Sequence, residues 1–474
     1  MGPTTTLAAT PRTDAARQPY EYRRRRVEEP DWRRLPGYAS VTPADWRDAR
    51  WQRRCSVTDV HGLSNVFGNH LSPALARAIA EDGHRFATMG MRVTPHMLNT
   101  MDEKDLWDDP VRRYLLPAIT DREPLWHTHP EARRDSLHET EMSVVEGLIW
   151  RYPTKVLVEL ALTCPVYCGH CTRMDVVGPD VPTVAKHRMS LRRHDRLDAI
   201  VSFLASTPSI RDVVISGGDV ADAPPDLLEA FVARVLDIEH IRNIRLATKA
   251  IVALPQHFLQ RSVLRGLERI ARKARSAGVE IAVHTHANHV RSITPLVCEA
   301  TRALQDAGLG IIRNQGVLLQ NVNASAEALL DLCFVLLDDA HITPYYFYMC
   351  DMIPHAEHWR IPLHRAQTIQ EQIMGYLPGF ATPRLVCDVP FVGKRWLHQV
   401  QEYDRVRGVS YWTKNYWTSV ETMVGDPRED RHVYFDPIPS LPAEGQAYWL
   451  EQAKSISNVV PLHLIPTRGA SDVS

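Results

Sequence analysis

What this 474-residue chain lacks narrows it first. No apolar run approaches the roughly 20 residues of a membrane-spanning helix, so no membrane partner is expected. Charge of one sign is also missing. Lys and Arg number 55 against 56 Asp and Glu, and a net charge of −1 offers no global field to a nucleic acid or an acidic lipid surface. Cysteine is scarce, with eight in all, and five of them (Cys55, Cys298, Cys333, Cys350, Cys387) are widely scattered. That spacing excludes the disulfide framework of a small secreted domain. The N-terminus shows no charged-then-apolar leader pattern, so a reduced cytoplasm is the expected compartment. With 44% hydrophobic and 23% charged residues, the composition is that of an ordinary globular protein. Its length suits one large core with appended segments, or two to three domains.

The other three cysteines are not scattered. Cys164, Cys168 and Cys171 lie in Leu162-Thr-Cys-Pro-Val-Tyr-Cys-Gly-His-Cys-Thr-Arg173, a C-x3-C-x2-C spacing just after an apolar, strand-like stretch. Three thiolates can hold three irons of a cubane [4Fe–4S] cluster and leave the fourth without a protein ligand. That iron can chelate the amino and carboxylate groups of S-adenosylmethionine (SAM), so that one electron releases a 5′-deoxyadenosyl radical. The competing reading is a zinc knuckle. Structural zinc takes four ligands, usually in two pairs, and no second pair lies nearby; His170, between Gly169 and Cys171, is poorly placed to close a tetrahedron.

Residues 1–44 are rich in Thr, Ala, Pro and Arg, with Arg23-Arg-Arg-Arg26 among them, and read as a disordered or loosely packed arm. Residues 45–150 read as a helical segment. From Lys155 the texture becomes alternation. Strand-like runs fall at 156–162, 212–216, 244–248, 280–284, 310–314 and 344–348, with amphipathic helical patterns between them. Such alternation predicts an α/β fold with a parallel sheet and right-handed crossovers. Six units over 151–377 suggest a partial (β/α)6 TIM-like barrel. The polar candidates share one phase, just after strands: the cysteine loop, Gly217-Gly-Asp219, His284-Thr-His286 and Asp351. In parallel α/β barrels that is where active sites form. Beyond Pro378 the alternation fades into a C-terminal segment, 378–474, expected to fold against the barrel mouth.

The chain resembles the lysine 2,3-aminomutase family of radical-SAM enzymes, which also use pyridoxal phosphate. The matching stretches include Asp109-Pro-Val-Arg112, Arg151-Tyr-Pro153, Cys164 to Arg173, Gly217-Gly-Asp219, Leu254-Pro-Gln256 and Thr285-His-Ala-Asn-His289. Asn314-Gln-Gly-Val-Leu-Leu319 and Tyr345-Tyr-Phe-Tyr-Met-Cys-Asp351 complete the series. The matches keep the family's order from about Asp45 to about Glu421.

The resemblance implies residue roles. Lys394, in Val386-Cys-Asp-Val-Pro-Phe-Val-Gly-Lys394, matches the lysine that carries pyridoxal phosphate, although Pro390-Phe-Val-Gly393 replaces the family's glycine-rich run and is one residue shorter. Arg151, Tyr152 and Lys155 fall near the cofactor phosphate, with Lys155 in place of an arginine. Gly217, Gly218 and Asp219 are expected beside the SAM methionine, and Gln315, His286 and His289 are weaker candidates for the same pocket. Arg173 matches the arginine that receives the substrate carboxylate, a bidentate task suited to guanidinium. Asp351 and Asp388 match the carboxylates that hold a distal ammonium. Two carboxylates in one pocket repel unless a cation lies between them, which favours a basic amino acid.

The expected reaction is therefore migration of the α-amino group of L-lysine to the β-carbon. Free arginine, a protein-bound lysine, or a radical-SAM reaction of another class are the alternatives. An electron donor such as flavodoxin or ferredoxin and a homo-oligomeric state are expected as well. The family's interface zinc is not, because Ser325 stands where a ligating cysteine would be and no cysteine follows Cys387.

Overall fold

The computed structural model describes residues 20–122, 128–417 and 431–457. Its centre is a ten-stranded sheet whose strand order follows the chain: β1 (Ser143–Val145), β2 (Leu148–Tyr152), β3 (Lys155–Ala161), β4 (Asp212–Gly217), β5 (Asn243–Ala247), β6 (Glu280–Thr285), β7 (Ile311–Leu318), β8 (Thr343–Met349), β9 (Arg384–Val389) and β10 (Gly393–Trp396). Strands β3 to β9 are all parallel; β1, β2 and β10 are antiparallel to their neighbours. Register keeps apolar residues level across the sheet, as in Val213 opposite Ile244 and Val283 opposite Ile312. This places one side-chain set in the core and the alternate set toward the interior, the consequence of a period of two.

The alternation in sequence predicts six parallel strands, and the structure has seven, joined by six crossovers. The additional one is β9, paired with β8 through Tyr348 opposite Val386. Its crossover helix, Leu363–Ile373, buries only Leu363, Ala366, Ile369 and Ile373. So sparse an apolar stripe gives little helical signal. The other crossovers carry a fuller pattern. Helix Arg261–Ser276 buries Val263, Leu267, Ile270, Ala271 and Ala274 on one face, the spacing of an amphipathic helix.

Residues 43–115 form short helices with a shared start signal. Thr42-Pro43, Ser72-Pro73, Thr94-Pro95 and Asp109-Pro110 each put a capping oxygen before a proline at the first helical position. The oxygen takes an orphan N–H, and proline has none to lose there. These helices brace the cysteine loop from outside: Tyr167 N donates to Arg92 O (3.1 Å) and Gly169 N to Tyr114 O (3.2 Å).

The arm expected to be loose is packed from residue 20 onward; residues 1–19 lie outside the described residues. Helix Ala326–Asp338 presents Asp331 and Asp338, with Asp339 just beyond it. Tyr20 and Tyr22 donate to Asp331 and Asp338 (3.0 Å each), their rings meet Phe334, and Arg25 pairs with Asp331. The two tyrosines dock this strip, and acids at the helix pair with Arg24 and Arg25 of the otherwise exposed arginine run. Downstream, β11 (Glu402–Asp404), β12 (Val409–Trp412) and β13 (His432–Phe435) make a separate antiparallel sheet. Its Tyr434 hydroxyl donates to Cys350 O at 2.8 Å and ties it to the end of β8. Among the described residues no helix is long and apolar enough to cross a membrane.

Candidate active site

The two ends of the sheet meet. Arg151 on β2 donates to Val389 O on β9 (3.1 Å), and the Lys394 N–H on β10 donates to the Tyr152 hydroxyl (3.1 Å). The sheet therefore curls around an interior cavity of about 510 Å³, within the range of small-molecule sites. Every expected site residue but one lines it: the three cysteines, Arg151, Tyr152, Lys155, Arg173, Gly217, Gly218, Asp219, His286, Gln315, Asp351, Asp388 and Lys394. The exception is His289, whose ring instead accepts from Arg291 N (3.3 Å) beside a short helical turn.

At one end lie the thiols of Cys164, Cys168 and Cys171, all unpaired. Burial pushes the Cys171 thiol up to about 11 and that of Cys164 well above its ordinary value. Thiolates persist in such a place only beside a compensating cation or metal. Lys249, at the start of the loop after β5, donates to Cys168 Sγ at 3.1 Å and sits over the Tyr114 ring. Although burial alone would lower its pKa, Cys168 and Tyr114 raise it. Among the described residues no three His, Cys, Asp or Glu side chains converge as ligands of one ion would. A cubane asks for less convergence, because each cysteine takes a different iron.

Three glycines and one aromatic ring shape this end. A Cβ on Gly217 would lie 2.1 Å from Ala161 O, and one on Gly218 2.3 Å from Thr163 O. The turn after β4 thus packs directly on the backbone leading into the cysteine loop, which only glycine permits. Inside that loop, a Cβ on Gly169 would meet the Trp359 ring at 2.3 Å. Asp219 is spent within the protein, accepting from Ala221 N (2.9 Å), Thr248 Oγ1 (2.6 Å) and Lys249 N (2.6 Å). The imidazoles of His170 and His286 stack 5.6 Å apart. Burial drives His170 down to about 3 and His286 well below the ordinary range, so both are neutral. Both nitrogens of His170 and Nε2 of His286 are buried without partners among the described residues. Orphaned polar atoms in a cavity wall are what a polar ligand would satisfy.

At the other end Lys394 and Asp388 face each other across β9 and β10, with Nζ 3.3 Å from Oδ2. Asp388 Oδ1 also lies 2.8 Å from Arg151 Nη1. Burial would raise the Asp388 carboxyl, but Arg151 and Lys394 hold it below its ordinary value. Burial likewise opposes the Lys394 ammonium, yet Asp388 and the neighbouring tyrosines raise its pKa. Asp351 gets less from the same cations: among the described residues its carboxylate makes no ion pair, and the pull of Arg151 and Lys394 is outweighed. Burial, then the Asp388 charge, pushes it up to about 8. Lys155 stands over the Tyr152 ring at 4.4 Å, among the described residues no carboxylate pairs with it, and burial lowers its pKa. A cation so placed would gain from a phosphate. Gln315 donates to the Tyr348 hydroxyl at 2.9 Å.

Arg173 is engaged by a residue that the sequence did not reveal. Glu139 takes its Nε and Nη2 in a bidentate pair, 3.1 Å each. Glu139 lies before the first strand, outside any periodic pattern. Lys249 was visible in principle, since it follows a strand end in the same phase as the other candidates. The substituted run Pro390–Gly393 also has a cost. Phe391 adopts φ +62, a left-handed conformation that costs a side chain roughly 1–2 kcal/mol. Its ring stacks on His138, itself at φ +55, with centroids 3.9 Å apart; such a pair returns about 0.5–1.5 kcal/mol.

No family model matches the chain. Curated proteins do. It is 30% identical over 358 residues to the L-lysine 2,3-aminomutase of Clostridium subterminale, spanning 76% of this chain and 79% of that one. It is 30% identical over 375 residues to a putative L-lysine 2,3-aminomutase of Aquifex aeolicus, spanning 78% and 93%. The glutamate 2,3-aminomutase of Clostridioides difficile matches at 25% over 351 residues, 74% and 76%. Among solved structures, a radical SAM methyltransferase from Sphaerobacter thermophilus aligns over 52% of this chain and 69% of that one at 17% identity, with a TM-score of 0.32.

Proposed function

Since this chain belongs to the L-lysine 2,3-aminomutase family, we propose that it is a pyridoxal-phosphate-dependent enzyme acting on a basic amino acid, L-lysine before arginine. That it is a radical-SAM 2,3-aminomutase, an isomerase, follows from the family. We read the curled sheet as a partial TIM-like barrel, closed by the C-terminal segment that carries Lys394. One charge relationship supports the substrate: Asp351 lies unpaired beside an Asp388 that is neutralised by Arg151 and Lys394.

When bound, a [4Fe–4S] cluster with SAM supplies a carbon radical, and pyridoxal phosphate supplies a conjugated system through which a nitrogen can migrate. The chain's own residues do the rest. Cys164, Cys168 and Cys171 hold the cluster. Gly217, Gly218, His170 and His286 border the space beside it, where SAM would lie; Asp219 acts there by fixing Thr248 and Lys249. Lys155, with Arg151 and Tyr152, faces the phosphate. Lys394 must lose its extra proton before its amine can bind a carbonyl, and Asp388 Oδ2 is the nearest acceptor. Arg151 already balances Asp388, while the Asp351 carboxyl has no ion-pair partner among the described residues and stays protonated near neutral pH. A distal ammonium beside Asp351 would draw off that proton and pair with the resulting carboxylate. A second carboxylate, as in glutamate, would meet two acids there in place of a free cation. Arg173 receives the α-carboxylate. Enclosure keeps water and stray hydrogen donors from the radical. A low-potential donor such as flavodoxin or ferredoxin would supply the electron, and we expect a homo-oligomer.

The test is incubation of the reduced, reconstituted enzyme with SAM, pyridoxal phosphate and lysine, arginine or glutamate in turn. A β-amino product from lysine is expected. Product from arginine alone, or from glutamate, would overturn the substrate assignment.

A further inference from the structure

An α-amino acid carries its carboxylate and its nitrogen on one carbon. A site that receives the carboxylate on Arg173 and the nitrogen at Lys394 must therefore keep these two groups at one separation. Nothing in the sheet does so directly, because Arg173 lies in the loop after β3 and Lys394 on the edge strand β10. The structure joins them by another route.

Glu139 grips Arg173 side-on, through Nε and Nη2. That leaves the end-on edge of the guanidinium, Nη1 with the second N–H of Nη2, for another carboxylate; such planar forks serve two acceptors at once. Glu139 is in turn fixed by its own backbone. Asp135 accepts from Glu139 N and Thr140 N at 2.9 Å each. The residue immediately before Glu139 is His138, whose ring lies on Phe391 at 3.9 Å and 25°. Phe391 sits three residues before Lys394. Its loop is pinned by Val392 N donating to Val389 O (3.1 Å) and by the Tyr416 hydroxyl donating to Val392 O. Both stacked residues hold left-handed backbone, a conformation kept only where the surroundings over-determine it.

We propose that His138 and Phe391 are positioning residues whose stacked pair couples the Glu139–Arg173 carboxylate clamp to the Lys394 loop and so sets the spacing an α-amino acid must match. The inference rests on the roles of Arg173 and Lys394 proposed above. It also gives Pro390-Phe-Val-Gly393 a purpose: the run trades glycine flexibility for a ring that reaches the opposite loop.

The experiment compares the full-length protein with its Phe391→Gly and Phe391→Tyr variants. Glycine relieves the backbone while removing the ring; tyrosine keeps the ring. In the cofactor-free protein, hydrogen exchange of the peptide spanning 135–142 is followed by mass spectrometry. In the protein loaded with pyridoxal phosphate, visible absorbance reports the covalent Lys394 adduct and the lysine concentration that half-displaces it. For Phe391→Gly we expect a normal adduct, about tenfold faster exchange at 135–142 and about a tenfold higher half-displacing concentration, with Phe391→Tyr close to the parent. Unchanged exchange and displacement in Phe391→Gly would overturn the coupling. So would loss of the adduct with unchanged exchange, which confines Phe391 to its own loop. If the parent forms no adduct, the proposed cofactor role fails, while the exchange comparison still decides the coupling.

Discussion

Asp388 and Lys394 are direct partners across the antiparallel β9–β10 pair, and the same carboxylate reaches Arg151 at the far end of the sheet. One buried anion thus closes the curled sheet and holds Lys394 in its charged form.

Replacing that anion should strand two cations. In Asp388→Asn, Arg151 and Lys394 lose their shared counter-charge, and breaking a buried ion pair from one side costs roughly 3–5 kcal/mol. The upper part of that range is not expected, because the Lys394 side chain is 34% exposed. Urea unfolding of the unloaded protein measures the loss; a change below 1 kcal/mol would show that Asp388 does not hold the closure.

Asp351 should make stability pH-dependent with the opposite sign to a paired carboxylate. Its folded pKa, about 8, lies above the ordinary 3.8, so the folded state binds the extra proton between those values. Its stabilising contribution is full below about pH 4, declines as pH rises toward 8 and is then lost. The difference between parent and Asp351→Asn unfolding free energies should follow that slope. Lysine bound near pH 7 should also release a proton, readable as buffer-dependent binding heat. A pH-independent difference would contradict the unpaired, half-buried state of Asp351.

Gly218→Ala tests the packing of the turn after β4 on the cysteine loop. The added carbon meets the Thr163 carbonyl at 2.3 Å, and backbone cannot step aside as a side-chain tip can. Overpacking of this kind costs about 1–3 kcal/mol. Iron bound per chain after anaerobic reconstitution should fall well below the parent's. Full iron content with an unchanged Tm would mean the two loops yield independently.

Lys249→Met removes the ammonium 3.1 Å from Cys168 Sγ. A positive charge beside a cluster ligand favours the reduced, more negative cluster. The variant should therefore reduce at a more negative midpoint in an EPR-monitored titration, and cleave SAM more slowly with a fixed reductant. A midpoint at or above the parent's would rule out this electrostatic role.

How much of this was written in the linear chain depends on what kind of signal each part leaves. The cysteine triad is a spacing within one loop. The strands 155–161 to 343–349 are local periodicities bounded by capped helices, and the common phase of the polar residues after them follows from the same repeat. These are short-range facts, and they located the end of the sheet where the candidate residues line one cavity. β9 left almost no trace, because its crossover helix carries too thin an apolar stripe and its own pattern is short. The docked arm left a misleading trace: its arginines are exposed, as a solvated run would be, yet Arg24 and Arg25 stand opposite Asp339 and Asp331.

The charges of the candidate site were legible as residues and illegible as partners. Asp351 and Asp388 looked equivalent in the chain, two acids expected to face one pocket. Closure of the sheet distinguishes them, because it brings Arg151 from β2 against Asp388 and leaves Asp351 alone. Arg173 looked free, and folding gives it Glu139. His138, in a segment without signal, and Phe391, in the run that departs from the family's pattern, become neighbours only when the two ends of the sheet meet. Residue chemistry and local repeat come from the order of amino acids; the state of each charge depends on which distant group folding puts within reach, because electrostatic energy falls with distance in space and takes no account of distance along the chain.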